Sequence, residues 1–316
     1  MSEIATKKVV TITLNPALDL TGSLDTLNVG SVSLVKESNL RAAGKGVNVA
    51  MVLRDLGADV TVTGFLGKDN PELFHQLFSN IGVTDRFVEV DGSTRINVKL
   101  VEKNGEVSDI NFPGVEVNEA QIAQFERVLH ELAKDHDYFV FAGSLPGGVT
   151  PAQCAAWIAQ LRERGKKVLF DSSKAALAAG LDAKPWLIKP NEEELGDFLG
   201  KTLDTREACQ NAAQTLSNKG IDNIVVSMGA DGVMWLHDDQ WLHAKPPRMQ
   251  VVSTVGAGDT LVAGLCWGHM QQMPKTELLQ FATALSALAV SQVGVGVTSQ
   301  QELDQIKLNT QVNELA

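Results

Sequence analysis

Short apolar runs alternate with longer segments whose apolar residues recur every three or four positions along most of this chain. Residues 9–14 form a β-branched run that ends before Pro16, which predicts a buried strand. Val49, Val52 and Leu53 recur at helical spacing, which predicts a helix. Later segments predict strands at 60–65, 138–142, 167–171, 186–188 and 223–227, a hairpin at 233–236 and 241–243, and helices at 71–79, 118–134, 151–164, 192–199, 205–219, 275–292 and after 259.

This βαβ alternation predicts an α/β fold with a mostly parallel sheet, helices on both faces and ligands at the carboxyl ends of the strands. Two stretches, at about 17–38 and 90–112, have a β pattern that interrupts the alternation. The second predicts a hairpin with one wet face, because residues 95–100 alternate strictly between polar and apolar side chains. We expect a single domain over residues 1–316 in which both stretches form a small β lid, and a polar C-terminal tail as the one disordered part.

Residues 253–260 read Ser-Thr-Val-Gly-Ala-Gly-Asp-Thr and lead into an apolar run. The two glycines let the backbone turn sharply, and free amides at the start of a helix attract an anion. Asp259 would be repelled by that anion unless it accepts a proton, for example from a hydroxyl group. The glycines alone are typical of a tight strand-to-helix turn, but together with Asp259 they favour a site for phosphoryl transfer to an alcohol.

A second polar cluster follows the predicted strand at 186–188. Asn191 and Glu194 can share one face of a first helical turn, where the carboxylate would hold Mg²⁺ through water and the amide would reach a phosphate. An N-cap with acids at the start of a helix explains the same residues equally well.

Several other polar residues follow strand ends or lie on the predicted lid. Ser144, in a Gly-Ser-Leu-Pro loop, either binds substrate or shapes that loop. Residues 227–232 form a glycine turn that either walls a nucleotide site or enters a hairpin. Arg95 begins the alternating lid strand, where it would clamp a phosphate or remain a solvated charge.

Composition restricts the partners of the chain. Its 316 residues are 44% hydrophobic and carry a formal net charge of -11, without a basic cluster, which argues against nucleic acid as a partner. Three scattered cysteines suit a reducing cytoplasm, and we find neither an export signal nor an apolar run long enough to cross a membrane. Neither a Walker-type GxxxxGK[ST] nor a GxGxxG motif after a strand occurs, which weakens the P-loop and NAD interpretations.

Residues 43–50 (Ala-Gly-Lys-Gly-Val-Asn-Val-Ala) and 254–259 (Thr-Val-Gly-Ala-Gly-Asp) resemble the two signatures of the pfkB (ribokinase-like) carbohydrate kinases. The resemblance covers about residues 9–300, and segments 13–19, 143–146, 191–194 and 227–230 fall where the family places its own. It implies a ribokinase-like fold with a β lid, ATP and Mg²⁺ as cofactors, and a homodimer formed through the lid. Ser253 departs from the family, many of whose members have Asp at the start of the second signature.

The resemblance also implies roles for individual residues. Asp259 would be the general base, the amides of Gly256, Ala257 and Gly258 would form the anion hole, and Glu194 would hold Mg²⁺ through water. The implied sugar-phosphate ligands are Asp19, Gly44, Lys45, Asn48, Arg95, Ser144 and Asp259. The implied nucleotide ligands are Asn191, Ser227, Gly229, Ala230, Gly232, Val255, Gly256, Ala257 and Gly258.

Within the family, the wording of the signatures is most similar to members that phosphorylate fructose 1-phosphate. Tagatose 6-phosphate and fructose 6-phosphate are the alternative substrates within the family. The sequence alone does not fix which hydroxyl is phosphorylated, since the two hydroxymethyl ends of fructofuranose are related by a near two-fold symmetry. A sugar-phosphate-binding protein without turnover and a flavin- or nicotinamide-dependent oxidoreductase are the alternatives from other classes.

Overall fold

The computed structural model describes residues 8–315, in which one large sheet runs through the molecule. Its strands are β1 (Lys8–Thr13), β4 (Asp59–Gly67), β5 (Thr84–Asp85), β6 (Val88–Val90), β9 (Tyr138–Ala142), β10 (Lys167–Asp171), β11 (Leu187–Ile188), β12 (Asn223–Ser227), β13 (Val233–His237), β14 (Gln240–Lys245) and β15 (Gln311–Leu315). The order is β15-β14-β13-β12-β11-β10-β9-β1-β4-β5, with β6 also paired to β4. All neighbours from β5 to β12 are parallel, which confirms the predicted sheet.

Helices cover both faces of this sheet. They are α1 (Lys45–Asp55), α2 (Glu72–Ile81), α3 (Glu119–Leu132), α4 (Pro151–Glu163), α5 (Lys174–Asp182), α6 (Glu192–Leu199), α7 (Arg206–Ser217), α8 (Ala257–Met270), α9 (Lys275–Val290) and α10 (Gln300–Asn309). Val9 belongs to the core cluster shared with α1, α8 and α9, and its neighbour Val10 belongs to the cluster shared with α3, α4 and α7. Because successive strand residues point to opposite faces, buried β-branched runs such as β1 serve both cores.

A second sheet of four strands is built from the two stretches that interrupt the alternation. Its strands are β2 (Ala17–Leu24), β3 (Glu37–Ala43), β7 (Ile96–Glu102) and β8 (Val107–Ile110), in the order β3-β2-β7-β8. The observed strands differ from the predicted boundaries, since β3 continues to Ala43 and leads directly into α1.

The second sheet has one polar and one apolar face. Asp19 lies opposite Asn97 on β7, whereas Leu20, the next residue, lies opposite Leu40 and Val98. Leu40 is 38% exposed on the apolar face, whereas Leu18 on the same face is 3% exposed and belongs to the core, so this face is open in part. The predicted alternation is therefore present.

The polar C-terminal tail is ordered, which corrects the expectation of a disordered end. Leu303 and Ile306 of α10 are buried, and β15 pairs antiparallel with β14. The polarity of β15 misleads, because an edge strand is held by main-chain hydrogen bonds that do not depend on side-chain type. α5 also escaped the sequence analysis. No helix among residues 8–315 combines the length and apolarity that a membrane span needs.

Candidate active site

A cavity of about 1190 Å³ lies between the carboxyl ends of the main-sheet strands and the polar face of the second sheet. Asp19 and Asn97 reach it from the second sheet, and Lys189 and Ser227 reach it from the ends of β11 and β12. Every site residue predicted from the sequence lines this cavity except Ser144. The chain therefore brings the two signature segments to one place.

The start of α8 forms one wall of the cavity. Gly256 caps the helix in a left-handed conformation (φ 83°, ψ -5°), and a side chain at this position would collide with Val295. No side chain caps α8, and although the Ala257 N–H donates to the Thr254 carbonyl at 3.4 Å, the start of this helix can attract an anion.

Asp259 lies in the first turn of α8 and is only 6% exposed. Asn48 of α1 donates a hydrogen bond from Nδ2 to Oδ2 of Asp259 at 2.7 Å. Burial and the nearby carboxylate of Asp171 raise the pKa of Asp259 to about 6, against the lowering effects of Asn48, Lys45 and Lys189. A carboxylate with such a pKa is ionised at neutral pH and is a stronger base than an exposed aspartate.

Gly44 sets the position of α1. Its φ of 140° excludes most side chains, and an added Cβ would lie 2.8 Å from Cγ2 of Thr13 on β1. The close approach to β1 places Lys45 and Asn48, both in the first turn of α1, on the cavity wall. No side chain caps α1 either, so a second helix start faces the cavity.

A buried carboxylate beneath the cavity pairs with two lysines. Asp171, at the end of β10, is 2% exposed, and its Oδ2 lies 3.3 Å from Nζ of Lys45. Its Oδ1 lies 3.5 Å from Nζ of Lys189. Lys189 is itself buried, and its Nζ lies 3.5 Å from the position of a Cβ at Gly258. Two cations therefore lie close to the start of α8.

The charges of this cluster determine its protonation. Burial favours a higher pKa for Asp171, but Lys189 and Lys45 outweigh burial and hold the pKa below its usual value. Burial favours a lower pKa for Lys45, but the carboxylates of Asp171, Asp259 and Glu194 together raise it. Asp171 is thus a carboxylate and Lys45 an ammonium group at neutral pH.

The sequence analysis missed Asp171 and left Lys189 without a role. Asp171 is the last residue of β10 and Lys189 directly follows β11, and a polar residue at a strand end is the signal that led to Asn191. Sequence alone does not show the pairing of Asp171 with Lys45, which lies 126 positions away.

Asn191 and Glu194 form a capping box at the start of α6. Oδ1 of Asn191 accepts a hydrogen bond from the Glu194 N–H at 2.7 Å, and Oε2 of Glu194 accepts one from the Asn191 N–H at 3.0 Å. The interpretation of Asn191 and Glu194 as an N-cap with an acid at the start of a helix is therefore correct. Both residues also line the cavity, and the Asn191 amide NH₂ and the second Glu194 oxygen take no part in the box.

Mg²⁺ fits this wall only as a weakly ligated ion. Among residues 8–315 no group of three or more His, Cys, Asp or Glu side chains is arranged to hold a metal. Mg²⁺ commonly keeps several waters and binds through one or two carboxylates together with substrate phosphates. Glu194, with one carboxylate oxygen outside the capping box, fits that mode.

A turn after β12 forms the wall opposite the start of α8. The N–H of Ser227 donates to the carbonyl of Pro190 at 3.1 Å, which fixes this turn beside the start of α6. The turn continues as a single 3₁₀ turn at Gly229–Asp231. The sequence analysis missed the rest of this wall, which is formed mainly by apolar side chains: Pro246, Pro247, Met249, Val251, Ala287 and Val290.

Arg95 lines the cavity, but it is also bound to the backbone. Its Nη2 donates to the Asn15 carbonyl at 2.9 Å, its Nη1 to the Phe112 carbonyl at 3.2 Å and its Nε to the Pro16 carbonyl at 3.3 Å. A guanidinium has five N–H groups, so two remain for a ligand. Arg95 therefore joins the second sheet to the end of β1 as well as facing the cavity.

Ser144 does not reach the cavity. It lies in the loop after β9, where its Oγ accepts a hydrogen bond from Nδ2 of Asn15 at 3.1 Å. Of the two roles left open by the sequence, this position favours shaping the loop over binding substrate.

Comparisons with known proteins agree with this geometry. The family model for "pfkB family carbohydrate kinase" matches residues 9–302. The chain is 69% identical over 310 residues to a 1-phosphofructokinase of Vibrio cholerae, with 98% of each chain covered. It is 49% identical to a 1-phosphofructokinase of Escherichia coli, with 94% of this chain and 95% of that protein covered.

A solved structure has the same fold. The tetrameric inhibited form of phosphofructokinase-2 from Escherichia coli superimposes with a TM-score of 0.87 at 26% identity, covering 96% of this chain and 98% of that chain.

Proposed function

The chain belongs to the pfkB family of carbohydrate kinases, and from this premise we propose that it is a 1-phosphofructokinase. It transfers the γ-phosphoryl group of ATP to fructose 1-phosphate, giving fructose 1,6-bisphosphate and ADP. The observation that carries the proposal is Asp259, a buried carboxylate with a raised pKa beside the uncapped start of α8. The substrate assignment is supported by the identity to 1-phosphofructokinases.

Asp259 is the general base in this proposal. It takes the proton of the attacking sugar hydroxyl as the new O–P bond forms, and the leaving group is ADP. The Asn48 hydrogen bond keeps the carboxylate ionised and directs it. The N–H groups of Gly256, Ala257 and Gly258 stabilise the charge on the transferred phosphoryl group.

The nucleotide occupies the side of the cavity formed by the turn after β12 and the start of α8. Asn191, Ser227, Gly229, Ala230, Gly232 and Val255 line it there. Glu194 would hold Mg²⁺ through water, and the ion neutralises phosphate charge when it is bound.

The sugar phosphate occupies the side below the second sheet. Asp19, Gly44 and Asn48 are placed for sugar hydroxyls, and Lys45 and the two free N–H groups of Arg95 for the phosphate. Burial raises the pKa of Asp19 against the effects of Lys99 and Arg41. Lid closure over these groups would exclude water, which competes as phosphoryl acceptor.

We also propose a homodimer formed through the apolar face of the second sheet, in the cytoplasm where ATP and sugar phosphates occur. Leu40, Ile96 and Ile110 are 38%, 40% and 47% exposed and share that face. Open apolar sheet faces mark association sites. The tetrameric form of the Escherichia coli phosphofructokinase-2 shows that a related chain assembles.

A coupled assay of ADP release tests the function. Fructose 1-phosphate, fructose 6-phosphate, tagatose 6-phosphate and fructose are compared with ATP and Mg²⁺, and we expect the highest kcat/KM for fructose 1-phosphate. A higher value for either 6-phosphate overturns the substrate assignment. Sugar-phosphate binding without ADP release from any substrate would show a binding protein instead.

A further inference from the structure

We propose that Asp171 is a positioning residue that holds the ammonium groups of Lys45 and Lys189 beside the path of the transferred phosphoryl group. This inference rests on the proposed function and deepens it. The carboxylate is 2% exposed and does not line the cavity, whereas both lysines do, so its effect on substrate passes through the lysines.

The geometry assigns one carboxylate oxygen to each lysine. Oδ2 faces Lys45 at 3.3 Å and Oδ1 faces Lys189 at 3.5 Å, so the two cations are held on separate sides of one buried group. Each ammonium has three N–H donors, and pairing with Asp171 leaves others free for a phosphate. The Nζ of Lys189 also lies beside Gly258 at the start of α8, 3.5 Å from the position of an added Cβ.

Electrostatics explain why a buried carboxylate is needed here. Two ammonium groups close together repel each other, and a buried charge without a partner is costly. With Asp171 between them, the two lysines and this carboxylate together carry about +1 by simple counting of ionised groups, which offsets the ionised Asp259 at the start of α8. The donors are therefore in place before the phosphoryl group moves, which is the condition for stabilising its transition state.

A neutral double variant separates positioning from simple charge balance. Asp171→Asn combined with Lys189→Met removes one carboxylate and one ammonium, so the net charge of the cluster is unchanged, and Lys45 keeps Asp259 and Glu194 as opposite charges. Lys189→Met alone shows how much of any loss comes from the lysine itself. We expect the double variant to fold with an unchanged Tm and to lose at least about tenfold more in kcat than Lys189→Met alone. A kcat close to that of Lys189→Met overturns the proposal.

The single variant Asp171→Asn adds a second measurement, the pH profile of activity, which would not change if Asp171 only stabilised the fold. Removing the carboxylate takes away the largest of the charges that raise the pKa of Lys45 against burial, while Asp259 and Glu194 still raise it. The pKa of Lys45 should fall, so activity should be lost on the alkaline side at a lower pH than in the parent enzyme. An unshifted alkaline limb contradicts the proposal. If Asp171→Asn does not fold, the double variant still decides.

Two further measurements complete the test. The Mg²⁺ concentration for half-maximal rate should be unchanged in both variants, and an increase would place Asp171 in the metal site and overturn the assignment. Asp137→Asn is the matched control, because Asp137 pairs with Lys166 at 3.0 Å and does not line the cavity. Absence of turnover in the parent enzyme would contradict the proposed function itself, which distinguishes the two failures.

Discussion

Asn48 donates a hydrogen bond to Asp259 at 2.7 Å and so joins the first turn of α1 to the first turn of α8. The two residues belong to the two signature segments, which lie at opposite ends of the sequence and meet at the carboxylate proposed as the general base. The bond favours the ionised form of Asp259 and partly offsets the effect of its burial.

Asn48→Leu should therefore raise the pKa of Asp259 above its value of about 6. A hydrogen bond to a charged group contributes about 1.5–3 kcal/mol, which corresponds to roughly one to two pH units. The acid limb of kcat/KM against pH should move upward by that amount. In the parent enzyme, activity should fall as the pH drops through about 6, because a protonated Asp259 accepts no proton. An acid limb in Asn48→Leu at the parent position contradicts this role of the bond.

Asp259→Asn removes the base while keeping the shape of the side chain. We expect kcat to fall by roughly 10²–10⁴ with ATP binding retained. Steady-state kinetics and nucleotide titration check this. Retention of near-normal turnover rules Asp259 out as the base.

The same substitution should stabilise the protein at neutral and alkaline pH. The pKa of Asp259 is raised from 3.8 to about 6 in the folded state, so ionisation destabilises the folded state above about pH 6. Below about pH 4 the carboxyl group is protonated in both states and the cost disappears. Asp259→Asn should gain on the order of 1–3 kcal/mol in the free energy of unfolding at about pH 8, and the gain should shrink as the pH falls toward 4. Thermal unfolding at both pH values measures it, and a loss at about pH 8 contradicts the expectation.

Glu194→Gln should raise the Mg²⁺ requirement and lower turnover, with little effect on sugar-phosphate affinity. A glutamine can still accept the hydrogen bond from the Asn191 N–H, so the capping box and the stability of α6 should be kept. Asp197→Asn, an exposed change on the same helix, is the control. A collapse of sugar-phosphate binding with unchanged Mg²⁺ dependence would place Glu194 in the other half of the site.

Arg95→Ala should weaken fructose 1-phosphate binding by about 1.5–3 kcal/mol and narrow its advantage over fructose. The three backbone bonds of Arg95 provide the competing explanation, since their loss would loosen the second sheet for either ligand. Competition between the two substrates in one assay distinguishes these effects. If the affinities for fructose 1-phosphate and fructose fall equally, Arg95 acts through its hydrogen bonds to the backbone and not by binding the phosphate.

Ile110→Asp, on the apolar face of the second sheet, should shift the protein from dimer to monomer. Val107→Asp is the matched control, because Val107 is 52% exposed on the opposite face of the same strand. Sedimentation of both variants measures the effect. A parent protein that sediments as a monomer, or equal disruption by both variants, overturns the proposed interface.

Local chemistry made part of this site predictable from the sequence. The turn at Gly256 and Asp259 lie within a few residues of each other, so their combined meaning is visible without a fold. The pairing of Asp171 with Lys45 is not, because only the packing of β10 beside the start of α1 brings them together.

The second sheet, too, was predictable from the sequence only in part. Strict alternation in β7 predicted a sheet with a wet face, but it could not indicate that the wet face turns inward over the cavity. Charge alone likewise could not reveal that Arg95 also binds three carbonyl groups. The prediction of a disordered C-terminal tail was wrong, because β15 is held by main-chain hydrogen bonds to β14, which do not depend on the side-chain pattern.

The parallel pairing of β2 with β7 has a consequence for how the enzyme is made. These strands flank β4 and α2 in the chain, so the pair closes a long loop, and we expect it to form after that intervening unit. During synthesis on the ribosome, the first signature at residues 43–50 emerges well before β7, the strand that pairs with β2 over the cavity. Recovery of turnover in a refolding experiment should accordingly trail the recovery of helical circular dichroism.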